Sequence, residues 1–221
     1  MGIEGVIFDF NGTLFFDTPI HNQAWDIFLK QHSLELKDDE KNKKIHGKNN
    51  AEILRSLFSD KLSLEDIKRL SVEKEDIYQS LCLEQEMKLA PGAEELLEYL
   101  LLKKIPYTIA TASDLYNLKF YFEYLNLSRY FDMTKIVYSD GKVKSKPNPE
   151  IFIKAMDILK INADQTLIFE DSTSGIKAAE NSNAKKIIIV KSTNDNYDAW
   201  NHQIIRSFSE VEKSIFQNNR S

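Results

Sequence analysis

The stretch that decides the fold is Gly5-Val6-Ile7-Phe8-Asp9-Phe10-Asn11-Gly12-Thr13-Leu14. The apolar run from Val6 to Phe8 is typical of a buried strand in a parallel sheet. Asn11-Gly12, directly after it, is a turn signal. Because open parallel sheets place ligand sites beyond the carboxyl ends of their strands, we expect Asp9 to lie at a functional edge.

Strand and helix patterns alternate from Pro91 onward. Further strands are predicted at Tyr107–Thr111, Lys135–Tyr138, Thr166–Phe169 and Lys186–Val190, with helical patterns between them and a short helix at Ser209–Phe216. Such alternation predicts an α/β fold, a doubly wound parallel sheet with right-handed crossovers.

Residues 17–86 carry only helical patterns. Thr18 is the predicted N-cap of a first helix, with Pro19 in its first turn. Ser63 and Asp66 resemble a capping box at the start of a later helix. We therefore expect a core domain of residues 1–16 and 87–221, with residues 17–86 inserted as a helical cap domain.

Composition narrows the range of partners. The net charge is −5, the basic residues are dispersed, and 42% of the chain is hydrophobic. This balance argues against a nucleic-acid-binding protein but allows a small phosphorylated substrate. No leader-like segment precedes the first strand, and no apolar run approaches membrane length. We expect a cytoplasmic monomer with no membrane partner.

Polar side chains follow four of the predicted strands. They are Asp9, Thr111 with Ser113, Lys146, and Glu170 with Asp171. Taken singly, Lys146 fits a surface lysine, and Glu170-Asp171 fits an acidic pair at a helix N-terminus. Parallel topology places all of them on one edge of the sheet, where together they form a plausible site.

The chemistry of these groups points to phosphoryl transfer. Three carboxylates at one edge raise one another's pKa values, and a divalent cation relieves the repulsion. Mg²⁺ prefers such oxygen ligands together with several waters. Lys146 and Thr111 can then hold phosphoryl oxygens while Asp9 attacks phosphorus in line.

These residues resemble the four ordered motifs of the haloacid dehalogenase superfamily, in its β-phosphoglucomutase-like branch. The motifs are Asp9-Phe10-Asn11-Gly12-Thr13, the Thr111 strand end, Lys146-Pro147, and Glu170-Asp171-Ser172 with Gly175-Ile176. The resemblance covers nearly the whole chain. It implies a Rossmann-like core, a mobile helical cap, Mg²⁺ and an aspartyl-phosphate intermediate.

The resemblance also implies roles for individual residues. Asp9 would be the nucleophile and a metal ligand, and the main-chain carbonyl of Asn11 a second ligand. Glu170 and Asp171 would complete the metal site. Thr111 and Lys146 would bind phosphate, and the positions expected to bind substrate are Gly12, Thr13, Ser113, His21, Lys48 and Asn50.

Asn11 departs from the family pattern, which has an acid–base aspartate at this position. An amide cannot exchange a proton at neutral pH, so we expect slow turnover, above all of sugar phosphates. Three explanations stay open: an acid–base group from elsewhere, with His21 a candidate; a protein that binds a phosphometabolite and barely turns it over; or an engineered substitution.

The predicted cap carries a second departure. The loop from His46 to Asn50 occupies the place of the family's substrate-contacting cap loop, and Asn50 stands where the mutases have an arginine. We therefore expect a phosphatase acting on a small phosphorylated metabolite. A phosphosugar mutase is the first alternative, and a catalytically weak phosphometabolite-binding protein is an alternative of another class.

Overall fold

The computed structural model describes residues 2–37, 40–41, 44–45 and 48–216. Within them, five parallel strands form one sheet in the order β2-β1-β3-β4-β5. Their bounds are Gly5–Phe8 (β1), Tyr107–Ile109 (β2), Thr166–Glu170 (β3), Lys186–Val190 (β4) and Gln203–Ile205 (β5). The predicted doubly wound parallel sheet is confirmed. The connections from β1 and β3 leave in opposite directions, which opens a crevice between their carboxyl ends.

Helices flank the sheet and form the insertion. The principal α-helices of the described residues are Thr18–Gln31 (α1), Asn50–Leu57 (α2), Leu64–Glu84 (α3), Ala93–Leu102 (α4), Leu115–Tyr124 (α5), Glu150–Leu159 (α6) and Thr173–Asn181 (α7). Short 3₁₀ turns lie at Leu127–Arg129, Met133–Lys135, Ala163–Gln165, Phe208–Glu210 and Lys213–Phe216. The predicted C-terminal helix is thus two 3₁₀ turns.

Side-chain alternation along β1 separates the two faces of the sheet. Val6 and Phe8 join α4 and α5 in the larger hydrophobic cluster. Ile7 faces the other way, toward a second cluster that contains Phe152 of α6 and Ala179 of α7. Because both faces of the strand are covered by helices, β1 is apolar throughout and the first polar side chain after it is Asp9.

Helices α1–α3 lie between β1 and β2 in the chain and share a hydrophobic cluster of their own. Trp25 and Phe28 of α1 pack there with Leu54 and Ile67. The root of the insertion belongs instead to the larger core cluster, through Ile20 and other residues of α1 and α3. No helix in the described part of the chain combines the length and apolar character needed to cross a bilayer.

Two further local predictions are corrected by the structure, and one strand was missed. Thr18 is the first residue of α1, and the N-cap is Asp17, whose side chain does not bond the helix end. The strand predicted at Lys135–Tyr138 is absent: Val137 forms an isolated bridge through the main chain of Ile109 and Thr111. Edge strand β5 was not predicted, because it is short and two of its three residues are exposed.

Candidate active site

Asp9 lies directly beyond β1, where its main-chain N–H donates to the carbonyl of Phe169 on β3 (3.0 Å). The residue is only 5% exposed. Lys146 Nζ lies 2.5 Å from Asp9 Oδ1 and 2.5 Å from Glu170 Oε1. The structure thus brings these three side chains together at one edge of the sheet.

Lys146 is buried, with its ammonium over the ring of Phe152 (5.2 Å to the ring centre). Burial by itself would lower the pKa of Lys146, but Asp9 and Glu170 outweigh it and raise the pKa above the usual value. Lys146 is therefore a permanent positive charge between two carboxylates.

Glu170 is held by the backbone at the start of α7. Its Oε2 accepts hydrogen bonds from the main-chain N–H groups of Asp171 (2.7 Å) and Ser172 (2.8 Å). A Cβ at Gly175 would meet Glu170 Oε1 at 1.7 Å. Glycine at position 175 therefore leaves room for this carboxylate at a helix N-terminus, where negative charge is favoured.

Oxygen atoms of Asp9, Glu170 and Asp171 lie within 4.8 Å of one another. Burial raises the pKa of Asp9 to about 7, with Lys146 opposing the rise and Glu170 adding to it. Burial, then Glu170 and Asp9, raise the pKa of Asp171 well above its usual range. Three crowded oxygen donors, two of which have raised pKa values, fit a divalent cation.

The side chain of Asn11 is engaged on both its oxygen and its nitrogen. Its Oδ1 accepts from Ser113 Oγ (2.6 Å) and Thr111 Oγ1 (3.3 Å). Its Nδ2 donates to Asp17 Oδ2 (2.6 Å) and to Tyr121 Oη (2.8 Å). The surroundings of position 11 therefore match an amide, which accepts hydrogen bonds at its oxygen and donates them from its nitrogen.

Asp17 is a fully buried carboxylate that sequence reasoning did not assign to the site. It accepts from Asn11, from the Gly12 main-chain N–H (2.9 Å) and from the Tyr78 hydroxyl. Burial raises the pKa of Asp17, but the imidazole of His21 and the hydrogen bonds from Tyr78 and Asn11 outweigh it and hold the pKa below its usual value. Asp17 is therefore charged at neutral pH.

Gly12, Thr13 and Thr111 were also predicted at the site, and each forms hydrogen bonds to neighbouring residues of the protein. The main-chain N–H of Gly12 donates to Asp17 Oδ1. Gly12 has a φ of +78°, and a Cβ added to it would lie 2.1 Å from Asp171 Oδ2. Thr13 is buried and donates to Asp171 Oδ1 (3.3 Å). Thr111 is buried beside Ser113, and its hydroxyl accepts from the Ser113 N–H (3.1 Å).

A cavity of about 1160 Å³ opens above these groups, between the sheet edge and α1–α3. Asp9, Asn11, Lys146 and Asp171 line its floor, and His21, Lys48 and Asn50 line the opposite wall. His46 and Gly47 of the predicted substrate loop lie outside the described residues. The structure thus places carboxylates, an ammonium and a polar wall around one volume large enough for a small metabolite.

A family model described as "Haloacid dehalogenase-like hydrolase" matches residues 6–189. The chain belongs to the haloacid dehalogenase-like hydrolases. A curated member of Thermotoga maritima, "Phosphorylated carbohydrates phosphatase", is 30% identical over 87% of this chain and 88% of its own.

One solved structure gives the same assignment, and a second gives the same fold. A family IA, variant 3 hydrolase of Entamoeba histolytica is 34% identical, covers 97% of both chains and has a TM-score of 0.85. The β-phosphoglucomutase of Clostridium difficile is 24% identical over 96% of this chain and 94% of its own, with a TM-score of 0.79. The second comparison supports the fold alone. As a haloacid dehalogenase-like hydrolase, the chain is an enzyme with an α/β core.

In this hydrolase, the wall of the cavity contains charged residues that sequence reasoning missed. Lys74 Nζ lies 2.8 Å from His21 Nδ1 and 3.1 Å from both carboxylate oxygens of Glu75. Nε2 of the same ring lies 3.3 Å from Asp17 Oδ2 and 3.3 Å from Asn11 Nδ2. The His21 ring also stacks on Tyr78 at 3.8 Å.

Tyr197 completes the site from the loop after β4. Its hydroxyl donates to the main-chain carbonyl of Asp171 (2.6 Å), and the residue is buried. Nothing in the sequence predicted this loop as part of the site, because single aromatic residues among polar ones are common in loops. The hydrogen bond fixes the main chain that carries a candidate metal ligand.

Proposed function

We propose that this chain is a Mg²⁺-dependent phosphatase that hydrolyses a small phosphorylated metabolite, such as a sugar phosphate, through a phosphoryl group on Asp9. The observation that carries the proposal is the cluster of three carboxylates within 4.8 Å, with Lys146 at 2.5 Å from Asp9. The activity printed for the Thermotoga relative, on phosphorylated carbohydrates, is consistent with it.

The residues present would hold Mg²⁺ through the carboxylates of Asp9, Asp171 and Glu170. The main-chain carbonyl of Asn11 would be a further ligand. When bound, the ion supplies positive charge to the phosphoryl oxygens. Lys146 lies beside Asp9 and can donate to the same oxygens, which makes the floor of the cavity attractive to a phosphate group.

The reaction then divides into two displacements at phosphorus. In the first, an Asp9 carboxylate oxygen bonds to phosphorus as the bond to the leaving oxygen breaks. In the second, water attacks the same phosphorus, free phosphate leaves, and the Asp9 carboxylate is restored. Each displacement needs a proton to move to or from an oxygen.

Asn11 does not supply that proton, because its amide is neither an acid nor a base at neutral pH. General acid–base catalysis is worth about 10²–10⁴-fold. Aryl phosphates have stable leaving groups, so we expect them to react faster than sugar phosphates. Ser113, Thr111 and the cavity wall with His21, Lys48 and Asn50 would position the substrate.

Residues 17–86 would act as a cap over the core domain of residues 1–16 and 87–221. In support, Asn49 Nδ2 donates to Ser145 Oγ (2.6 Å), next to Lys146. The Gln79 side-chain amide likewise reaches Asn117 Oδ1 (3.0 Å). Contacts of this kind between residues 17–86 and the rest of the chain favour a closed arrangement that excludes water during the first displacement.

The test is phosphate release from a panel of phosphate esters, with Mg²⁺ and with a chelator. We expect Mg²⁺-dependent release that the substitution Asp9→Asn abolishes. Stopping the reaction in acid should leave one phosphoryl group per chain on Asp9. Release that continues in Asp9→Asn, or that ignores the chelator, would refute the proposal.

A second candidate function, a phosphometabolite-binding protein, is favoured by the four hydrogen bonds that hold the Asn11 amide. Tight binding of a phosphate ester without phosphoryl-Asp9 would support it. The mutase alternative has less support. Asn50, at the mutase arginine position, is bonded to Glu75 (2.7 Å) and offers no charge to a second phosphate.

A further inference from the structure

Asn11-Gly12 is the one Asn-Gly pair in the sequence, and the proposed reaction gives its side-chain amide no chemical role. Asparagine is among the chemically labile residues of proteins. Because the glycine after it has no Cβ, nothing on that residue blocks the approach of its main-chain nitrogen to the side-chain carbonyl. Asn11 is half-buried and lines the cavity, where water can reach it. The pair therefore combines a labile amide, an adjacent nucleophile and access to water, which are the requirements for deamidation.

The side-chain carbonyl of Asn11 is surrounded by hydrogen-bond donors. Ser113 Oγ donates to its Oδ1 at 2.6 Å, and Thr111 Oγ1 donates to the same oxygen at 3.3 Å. An attack on Cγ of the amide places negative charge on this oxygen, and fixed donors at such an oxygen lower the barrier by stabilising that charge. The two hydroxyls are thus arranged as an oxyanion hole for a reaction of the protein's own side chain.

Asp17 is hydrogen-bonded to both nitrogen atoms that would take part. Its Oδ2 accepts from Asn11 Nδ2 (2.6 Å), the nitrogen that would leave. Its Oδ1 accepts from the main-chain N–H of Gly12 (2.9 Å), the nitrogen that would attack, and this N–H is shared with the carbonyl of Phe15 (2.7 Å). One carboxylate can therefore accept the proton of the attacking nitrogen and return a proton to the leaving nitrogen.

We propose that Asn11 is a self-modification site at which the folded chain deamidates the asparagine to an aspartate. In the first step the Gly12 nitrogen bonds to Cγ of Asn11, its proton passes to Asp17, and Nδ2 takes a proton from Asp17 and leaves as ammonia. In the second step the oxygen of a water molecule bonds to Cγ, the bond from Cγ to the Gly12 nitrogen breaks, and that nitrogen regains a proton from the water. The balance is asparagine plus water giving aspartate plus ammonia.

The product would have a carboxyl group two residues after Asp9, where the amide supplies no proton. This consequence for catalysis rests on the proposed phosphatase function, whereas the modification itself does not. The chain would fold with an asparagine that complements Asp17 and would gain its acid–base group afterwards. Sugar-phosphate turnover should then rise with the fraction of chains converted, by up to about 10²–10⁴-fold at full conversion.

The experiment measures the mass of the fragment 1–30, which trypsin releases by cleavage after Lys30. Freshly purified protein is incubated at neutral pH in water labelled with heavy oxygen, and fragment ions locate the labelled residue. We expect labelled oxygen to enter at position 11 and not at Asn22, the other asparagine of this fragment. Conversion should be at least about tenfold faster in the folded chain than in the chain unfolded in urea, because folding holds the reacting groups in place.

Two substitutions test the contacts that carry the proposal. Asp17→Asn removes the carboxylate and should slow conversion by about 10²-fold or more, as expected for the loss of an acid–base group. Ser113→Ala removes the closer donor to Asn11 Oδ1 and should slow conversion by about 10²-fold, the usual effect of losing one donor to an oxyanion. Asp157→Asn, exposed on α6, is the matched control for the change of charge and should convert at the rate of the parent.

Slower conversion in the folded chain than in urea would overturn the proposal, because the hydrogen bonds would then protect Asn11. Equal rates in the parent and in Ser113→Ala would also overturn it, and this comparison decides if Asp17→Asn does not fold. An isoaspartate as the main product would overturn the gain of an acid–base group. Labelled oxygen at position 11 with no phosphate release from any ester, in the incubated parent and in Asn11→Asp alike, would refute the proposed function and support the modification.

Discussion

The side-chain amide of Asn11 donates to Asp17 Oδ2 across 2.6 Å, so the residue two positions after Asp9 is hydrogen-bonded to a buried carboxylate. Ser113 donates to the other end of the same amide (2.6 Å). A carboxylate introduced at position 11 in this geometry would lie at hydrogen-bond distance from the carboxylate of Asp17. Asparagine at position 11 and aspartate at position 17 are therefore complementary.

The substitution Asn11→Asp should increase turnover of sugar phosphates, because it restores a group that can protonate the leaving oxygen. We expect a gain of up to about 10²–10⁴-fold on a sugar phosphate and a smaller gain on an aryl phosphate, whose leaving group needs no proton. Steady-state phosphate release from both esters measures the difference. Equal sugar-phosphate rates in the two proteins would contradict the role assigned to position 11.

The same substitution should destabilise the fold at neutral pH, since the introduced carboxylate and that of Asp17 cannot both be charged at this separation. Reversing the pair in Asn11→Asp/Asp17→Asn restores one donor and one carboxylate, and we expect it to recover part of the lost free energy of unfolding. Urea denaturation of the single and double variants gives the coupling energy. A coupling near zero would mean that the two side chains do not interact in solution.

Lys146 should be a large contributor to stability as well as to activity. The substitution Lys146→Met leaves Asp9 and Glu170 without their buried partner, and removing one member of a buried ion pair costs about 3–5 kcal/mol. Lys154→Gln is the matched control, because Lys154 pairs with Glu150 at 2.9 Å on the surface of α6, and such pairs contribute about 0–1 kcal/mol. Urea midpoints that fall equally in both variants would contradict the buried network.

The floor of the site could be predicted from sequence because its residues follow strands. Val6–Phe8 has no polar side chain before Asp9, and Thr166–Phe169 has none between its first residue and Glu170. Parallel topology then fixes where these strand ends meet. Lys146 was expected to follow a strand at Lys135–Tyr138, and that premise was wrong because only an isolated bridge forms there.

The wall of the cavity could not be predicted in the same way. Lys74 and Glu75 lie in a charged run, Glu73 to Asp76, that is typical of a solvent-exposed helix face. Burial of one side of that run depends on how α3 packs against α1, which no local pattern records. Asp17 has the same difficulty: the sequence places it only just before a helix predicted to begin at Thr18, and the structure alone places it against Asn11.

Acid should weaken the fold partly through Glu75. Its folded pKa lies below its usual value of 4.5, so its contribution to stability is complete above that pH and is lost as pH falls through the folded pKa. We expect Glu75→Gln to be less stable than the parent at neutral pH, with the gap closing in acid. Urea midpoints from neutral to acid pH measure this difference in stability. The variant Glu73→Gln should follow the parent at every pH. A stability difference that stays the same as the pH falls well below 4.5 would show that the charge of Glu75 does not stabilise the fold.

Mg²⁺ should stabilise the protein, because it relieves the repulsion among Asp9, Glu170 and Asp171. At a concentration of about 100 times Kd the gain is about 2.7 kcal/mol, or about 5–10 °C in Tm for a chain of this size. Thermal unfolding with and without the ion measures the shift. The substitution Asp171→Asn should remove most of it, because one of the three crowded oxygen donors loses its charge, whereas Asp157→Asn, exposed on α6, should retain it. A shift of the same size in both variants would place the ion elsewhere.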